Sequence, residues 1–459
     1  MAKNGLYTGI DIGTNTIKVL VAEYISGETN IIGNGNAKSE GLSKGIIVDI
    51  EKTAMSIRKA VNAAQEKAGI VIDTLNVAIP ANQLQIEPCQ GMISVSTGSK
   101  EIMDNDVLEV VSNSLMRGLV PEREIIAVEP KEFIVDGFSE ISDPRGMLGV
   151  RLEMKGVLYT GPKTLIHNVI RAVERAGFTV GNIIVPSLSL SRNVLSEQER
   201  EFGTIVIDLG AGQTTVTAVK DNAIQYVNWR PEGGDYITKD ISDILNTSIK
   251  SAEDIKLNYG EASTERASKE EFFLVDMVGK ADPEQVSEYY LSQIVEARVV
   301  QIFEKVRQDL EQNRMMDYPG GVVLLGGAAA MPGIVEVATR IFEQNVRLYV
   351  PTEVGLRNPA YSQVISTVNY VSGRSDIEVL VTRAVMGETA EPAPNLMGSS
   401  YDAPVVNNLN IPMDTPQVYP EYEEELIPIT QSQPQSELEN EEKEGIVDRV
   451  RGILTNMFD

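Results

Sequence analysis

Two short stretches of this sequence carry the same chemistry. Asp11-Ile12-Gly13-Thr14-Asn15-Thr16, followed by Lys18, and Asp208-Leu209-Gly210-Ala211-Gly212-Gln213-Thr214 each set an aspartate two residues before a glycine. Glycine in such a turn lets the backbone approach a phosphate closely, and successive N–H groups form a concave anion site. The carboxylate beside them would repel a bare phosphate, so it makes sense as the holder of a hydrated Mg2+ that bridges to the phosphates. One Asp-X-Gly turn is ordinary hairpin chemistry. Two, 197 residues apart at Asp11 and Asp208, could pinch a phosphate chain from opposite sides, each acid reaching the metal through water.

A third element is Val322-Val323-Leu324-Leu325-Gly326-Gly327-Ala328-Ala329-Ala330-Met331-Pro332, a buried strand turning through small residues into a helix. Gly326, Gly327 and Ala328 permit a flat ring such as adenine to lie against backbone, with Met331 beside it. Gly233-Gly234 offers a further glycine pair. Glu253 and Lys256, three apart on a helix, face the same way and could reach ribose hydroxyls and the base, although read alone the pair is in the first place a solvated salt bridge. The chain has one histidine, His167, and one cysteine, Cys89, so a His/Cys metal site, a Ser-His-Asp triad and an intrachain disulfide are not expected.

These residues need a scaffold of alternating strands and helices, and the pattern up to Gly387 supplies one, an α/β fold. Strands are expected over 6–12 and 16–23, a helix over 50–68 and a buried strand over 75–79. The order recurs with strands over 204–209 and 214–219, a helix after Gly234 and a strand over 321–325. The repetition implies two related halves facing each other. The first lobe is expected to comprise residues 1–82 and 163–203, split by an inserted α+β subdomain at 83–162. The second comprises 204–249 and 320–386, split by a mostly helical subdomain at 250–319. There Leu291, Val295, Val299, Ile302, Val306 and Leu310 form one helical stripe.

Charge sets the remaining bounds. Forty basic against sixty-six acidic residues leave a net charge of −26, which argues against a nucleic-acid partner. The start lacks a long apolar signal core, so a cytosolic chain is expected, and no run of about twenty apolar residues is present to cross a bilayer. Residues 387–442 hold twelve acids, no Lys or Arg and eight of the twenty-one prolines, the composition of a disordered, self-repelling tether. Beyond it, residues 443–459 place Ile446, Val447, Val450, Ile453, Leu454, Met457 and Phe458 at three- and four-residue steps, one apolar face of a helix.

The paired turns, the Gly-Gly motif and the duplicated halves resemble the superfamily of actin, heat-shock chaperones and sugar kinases, with duplicated ribonuclease-H-like halves. Within it, Ile141-Ser142-Asp143-Pro144-Arg145-Gly146-Met147, Gly149-Val150-Arg151-Leu152-Glu153, Ala252-Glu253-Asp254-Ile255-Lys256 and Tyr259-Gly260 resemble the FtsA family of actin-like bacterial cell-division proteins. The acidic tether ending in an amphipathic helix is similar too. The resemblance covers residues 1–386 by motif and the tail by architecture.

The resemblance implies ATP and Mg2+ held between the halves and subunits polymerising head to tail. It further implies a peripheral protein on the cytoplasmic face of the membrane at the division septum, which tethers filaments of the tubulin-like FtsZ and recruits later division proteins through the inserted subdomain. Asp11, Gly13, Thr14, Asn15, Thr16, Lys18, Gly210, Gly212, Gln213 and Thr214 would then surround phosphates and metal. Gly233, Gly234, Glu253, Lys256, Gly326, Gly327, Ala328 and Met331 would surround the nucleoside. Related ATPases carry a Gln or Glu near the start of the helix preceding the second phosphate hairpin, where Val185 stands here; valine positions no water, so slow or negligible turnover is expected. The family's FtsZ-peptide site maps to the second-half insertion, where Arg298 could present charge beside the apolar stripe or lie along the core edge. The terminal helix should hold a membrane weakly by itself and firmly when a filament presents many copies. Rival readings are another membrane-associated actin-like protein for cell shape or pilus assembly and, with less in its favour, a sugar kinase, which would need a catalytic acid at a substrate cleft.

Overall fold

The computed structural model describes residues 4–95, 100–116 and 120–387; the tether and terminal helix lie outside the described residues. The first lobe opens with strands β1 (Gly5–Ile12), β2 (Thr16–Ile25) and β3 (Glu28–Lys38), a short hairpin of β4 (Leu42–Ser43) and β5 (Ile46–Ile47), helix α1 (Ile50–Ala68) and strand β6 (Thr74–Ala78). Asp49 caps α1 by accepting from the Lys52 N–H, and Gly69 ends it at φ 67°. After an insertion the lobe resumes with α3 (Lys163–Arg175), β11 (Thr179–Ile184), α4 (Pro186–Val194) and α5 (Glu197–Phe202). The insertion consists of β7 (Gln85–Ser94), α2 (Asp104–Leu115), β8 (Arg123–Val135), β9 (Phe138–Ile141) and β10 (Arg151–Pro162).

The second lobe repeats the plan with β12 (Thr204–Leu209), β13 (Thr214–Lys220), β14 (Ala223–Arg230) and α6 (Gly234–Ile244). Its own insertion contains α7 (Ile249–Tyr259), β15 (Phe272–Val275), β16 (Glu284–Ser287) and α8 (Glu288–Gln312). It continues with β17 (Val322–Leu325), a 3-10 turn at Ala328–Ala330, α9 (Ile334–Phe342) and β18 (Val346–Leu348). The chain then returns through α10 (Ser362–Ser372), which packs its Val364, Ile365 and Val368 against Leu20 and Ala22 of the first lobe rather than completing the second as expected, and ends in α11 (Asp376–Val385).

The two central sheets have matching strand orders, β11-β6-β1-β2-β3 and β14-β13-β12-β17-β18. In each, three antiparallel strands are extended by two parallel ones across a helical crossover. The outer strands β3 and β14, absent from the sequence reading, complete the repeat. Residues 250–319 differ from their mostly helical expectation by the β15–β16 hairpin, whose alternate residues Phe273, Val275 and Val286 are buried. The expected stripe on α8 from Leu291 to Leu310 is buried along its length. The chain after Gly327 forms the 3-10 turn before α9 begins past Pro332, because Gly333 takes φ 76°.

The inserted sheet, ordered β7-β10-β8-β9, packs α2 on one face. Its core also receives Ile377, Leu380, Val381 and Ala384 from α11, so the last described helix belongs to this small subdomain's core. Arg192 of α4 forms the joint. Its guanidinium pairs with Glu129 of β8 at 3.2 Å and with Glu378 of α11 at 2.5 Å, and stacks 5.0 Å from the Tyr370 ring of α10. Burial and the adjacent Glu129 carboxylate push the Tyr159 phenol well up, so it stays a neutral donor to Glu129.

Helix α1 lies close on β3 because glycines face it. A Cβ on Gly35 would meet the Ala60 carbonyl oxygen at 2.0 Å and the Ala64 nitrogen at 2.6 Å, both backbone atoms that cannot swing aside. Gly35→Ala should therefore cost about 3 kcal/mol of stability, as forced overpacking does, read as a lower urea midpoint with unchanged slope.

Candidate functional site

Strand register places the acids. Asp11 lies opposite Lys18 across the β1–β2 hairpin, and Asp208 lies opposite Thr215 across β12–β13. Both turns fold alike: a Cβ on Gly13 would crowd the Thr16 carbonyl at 2.8 Å, and one on Gly210 the Gln213 carbonyl at 3.0 Å. Glycine is what lets each turn close that tightly. The tips meet, since a Cβ on Gly212 would stand 2.6 Å from Thr14 Oγ1. Helix α6 starts against the back of the second turn, with the Gly234 N–H donating to the Gly210 carbonyl at 3.0 Å and the Asp235 N–H to that of Ala211 at 2.9 Å.

A cleft of about 510 Å3 runs between these turns. Asp11, Gly13, Thr14, Asn15, Thr16, Lys18, Asp208, Gly210, Gly212 and Gln213 line one part; Gly234, Glu253, Lys256, Gly326, Gly327, Ala328 and Met331 line another. Two expected residues stand behind the wall. The Thr214 hydroxyl donates into the protein, to the Glu232 carbonyl at 2.7 Å, and Gly233 backs onto the carbonyls of Gly210 and Ala211. The sequence reading missed Gly45, Ser187, Thr217, Leu257, Gly260 and Gln363 in the lining, because no periodicity announces a wall assembled from separate elements.

Lys256 is spent inward. Its ammonium donates to the Gly234 carbonyl at 3.1 Å, the Thr238 hydroxyl at 2.7 Å and Glu253 Oε2 at 2.7 Å, so its role is to fix Glu253. Glu253 Oε1 is left facing Asn15 Nδ2 across the cleft at 3.5 Å. Val185, expected where related ATPases orient water, is buried at 1 % exposure and caps α4 from behind; Pro186, Ser187 and Leu190 are what α4 shows the cleft. The Ser187 hydroxyl accepts from Thr217 at 2.9 Å. No carboxylate or amide stands on that first turn.

Of the two readings of Arg298, the core-edge placement is the one nearer to the geometry. Only 12 % of its side chain is exposed, and it forms a bidentate pair with Asp240 of α6 at 2.5 and 2.8 Å, so it braces α8 against α6. With both fork nitrogens committed, it has little left to offer a peptide.

The two acids differ electrostatically. Lys18 Nζ lies 3.2 Å from Asp11 Oδ2, whereas Thr215 gives Asp208 no charge. Burial, with the nearby Asp11 charge, pushes the Asp208 carboxyl up to about 7 despite Lys18. Gly326, at φ 98°, lets that carboxylate rest against its backbone; a Cβ there would stand 2.4 Å from Asp208 Oδ1. An acid held short of countercharge between backbone turns suits a divalent cation whose shell is completed by phosphate and water. Among the described residues no group of three or more His, Cys, Asp or Glu could enclose a metal alone.

The sign of the pH effect follows. Because the folded value lies above the unfolded one, the folded chain keeps a proton that the unfolded chain loses between about pH 4 and 7, so stability falls as pH rises through that window and levels off above it. Without ligand, Asp208→Asn should flatten this fall and gain about 2 kcal/mol near pH 8, measured by urea unfolding of both proteins at low and high pH.

Family models for cell division protein FtsA match residues 205–366, for the SHS2 domain inserted in FtsA residues 81–160, and for the FtsA C-terminal region residues 377–459. The cell division protein FtsA of Enterococcus faecalis is 54% identical over 393 residues, covering 86% of this chain and 89% of the relative. That of Streptococcus pneumoniae is 47% identical over 461 residues, covering 100% of both, and that of Bacillus subtilis is 40% identical over 378 residues, covering 82% of this chain and 86% of the relative. Among solved structures, the PilM–PilN type IV pilus biogenesis complex superposes with a TM-score of 0.56 at 14% identity, covering 81% of this chain and 99% of that one. MreB5 of Spiroplasma citri bound to ADP gives 0.50 at 12% identity, covering 83% and 99%; both likenesses speak to fold alone. The chain has the actin-like fold with the SHS2 insertion, and it belongs to the FtsA family of cell-division proteins.

Proposed function

We propose that the cleft binds ATP with Mg2+ and that nucleotide occupancy governs assembly of the protein into actin-like protofilaments on the cytoplasmic face of the membrane at the division septum. The observation that carries this reading is the convergence of two Asp-X-Gly turns, tip to tip, on one side of a cleft whose other side is a small-residue slot. Asp11 and Asp208 hold the metal through water, Lys18 and the turn amides take the phosphates, and Glu253 and Met331 flank the nucleoside. A metal held there would supply the positive charge that offsets the phosphates. Turnover is slow or absent, since α4 offers the cleft only Pro186, Ser187 and Leu190.

The remaining roles rest on family membership. The subdomain at 250–319 receives the C-terminal peptide of FtsZ, the inserted subdomain at 83–162 receives later division proteins, and residues 443–459 lie on the membrane by the face from Ile446 to Phe458. Exposed Phe272 and Leu274 on the β15–β16 hairpin give an extended peptide an apolar surface. Fully buried, the seven apolar side chains of the terminal face would contribute on the order of 10 kcal/mol, but interfacial insertion buries only part of each. Among the described residues no helix is long and apolar enough to cross a membrane.

Calorimetry of the full chain with Mg2+ should show ATP uptake, weakened at least about tenfold by Asp11→Ala; no heat of binding in the parent would overturn the reading. In liposome flotation, Phe458→Glu or truncation after Glu442 should leave the protein at the bottom of the gradient. Flotation equal to the parent would remove the membrane role.

A further inference from the structure

The phosphate end of the cleft is covered by an element outside the duplicated plan. Hairpin β4–β5 of the first lobe turns at Lys44–Gly45, and this turn lies over the tips of both Asp-X-Gly loops. The Gly45 N–H donates to Thr14 Oγ1 at 3.0 Å, and a Cβ on Gly45 would meet Gln213 Oε1 at 2.3 Å. Gly45, Gly326 and Gly327 line the same cleft, so a phosphate chain laid from the small-residue slot between the two turns would end beneath the hairpin.

Three observations bear on the turn. Lys44 holds φ 50°, a conformation unfavourable for a lysine, as a tight two-residue hairpin demands. Gln213 Oε1, against Gly45, is buried without a hydrogen-bond partner. Lys44 itself is exposed, its ammonium 5.9 Å from the Tyr236 ring of α6, a ring that also carries Arg298 at 5.5 Å. Two cations gathered on one ring repel each other, and Arg298 is fixed by Asp240, so Lys44 is the one free to leave.

We propose that the Lys44–Gly45 turn distinguishes a nucleoside triphosphate from a diphosphate, the Lys44 ammonium moving from the Tyr236 ring to pair with the terminal phosphate. This rests on the cleft holding a nucleotide. With a diphosphate, nothing beneath the turn draws Lys44 away. With a triphosphate, the hairpin of the first lobe and Gln213 of the second close on the same phosphate, and Tyr236 loses one of its cations beside the α6–α8 brace.

The test uses the full chain with Mg2+ and calorimetric titration of ATP and of ADP. The parent should bind ATP more tightly than ADP. Lys44→Gln should lose about tenfold in ATP affinity while holding ADP within about twofold, which also shows that the variant is folded, and Lys44→Arg should keep most of the preference. A Lys44→Gln protein with the parent's ATP-to-ADP ratio, or a parent without preference, would overturn this inference and leave nucleotide binding standing. A parent that binds neither nucleotide would remove the proposed function itself.

Discussion

The structure turns on an acid that its own lobe does not neutralise. The two phosphate-type hairpins are built on the same register, yet opposite Asp11 stands Lys18 and opposite Asp208 stands Thr215. One carboxylate has a countercharge within the fold; the other is buried against the backbone of Gly326, where burial and the nearby Asp11 charge raise its proton affinity above that of an ordinary aspartate. Burying that carboxylate without countercharge costs stability, which under the proposed binding a divalent cation entering with phosphate would restore.

That cost is sustained by rigid surroundings. Helix α6 abuts the second turn end-on, Lys256 is locked by carbonyl, hydroxyl and carboxylate, and α8 is braced to α6 by the Arg298–Asp240 pair. Several side chains that look like ligand contacts in the sequence are props of the cleft wall. Lys256 orients Glu253, Thr214 anchors the strand behind the loop, and Gly233 makes room for the loop's own carbonyls.

Much of the fold was legible because duplication is visible in residues: Ile10-Asp11-Ile12-Gly13 and Ile207-Asp208-Leu209-Gly210 sit at the ends of equivalent strands. The α8 stripe was legible because a helix buried on one face repeats every three to four residues. The β15–β16 hairpin was not, since each strand has four residues and its exposed positions include Phe272 and Leu274, which blur alternation. Site residues from single turns could be read from sequence, whereas the cleft wall from Ser187, Thr217 and Gln363 depends on tertiary convergence that no local pattern encodes. For Arg298 the stripe left surface presentation and the core edge both open, because its partner Asp240 lies 58 residues away on another helix and no local pattern shows the brace.

Helix α11 gives the molecule an unexpected attachment point. Although it follows the second lobe in sequence, it is embedded in the inserted sheet's core and tied through Glu378 to Arg192 on α4, whose opposite end lines the cleft. Helix α4 is therefore a nine-residue rod with one end on the cleft and the other in the joint to the small subdomain, so a displacement of that subdomain would bear on the cleft wall.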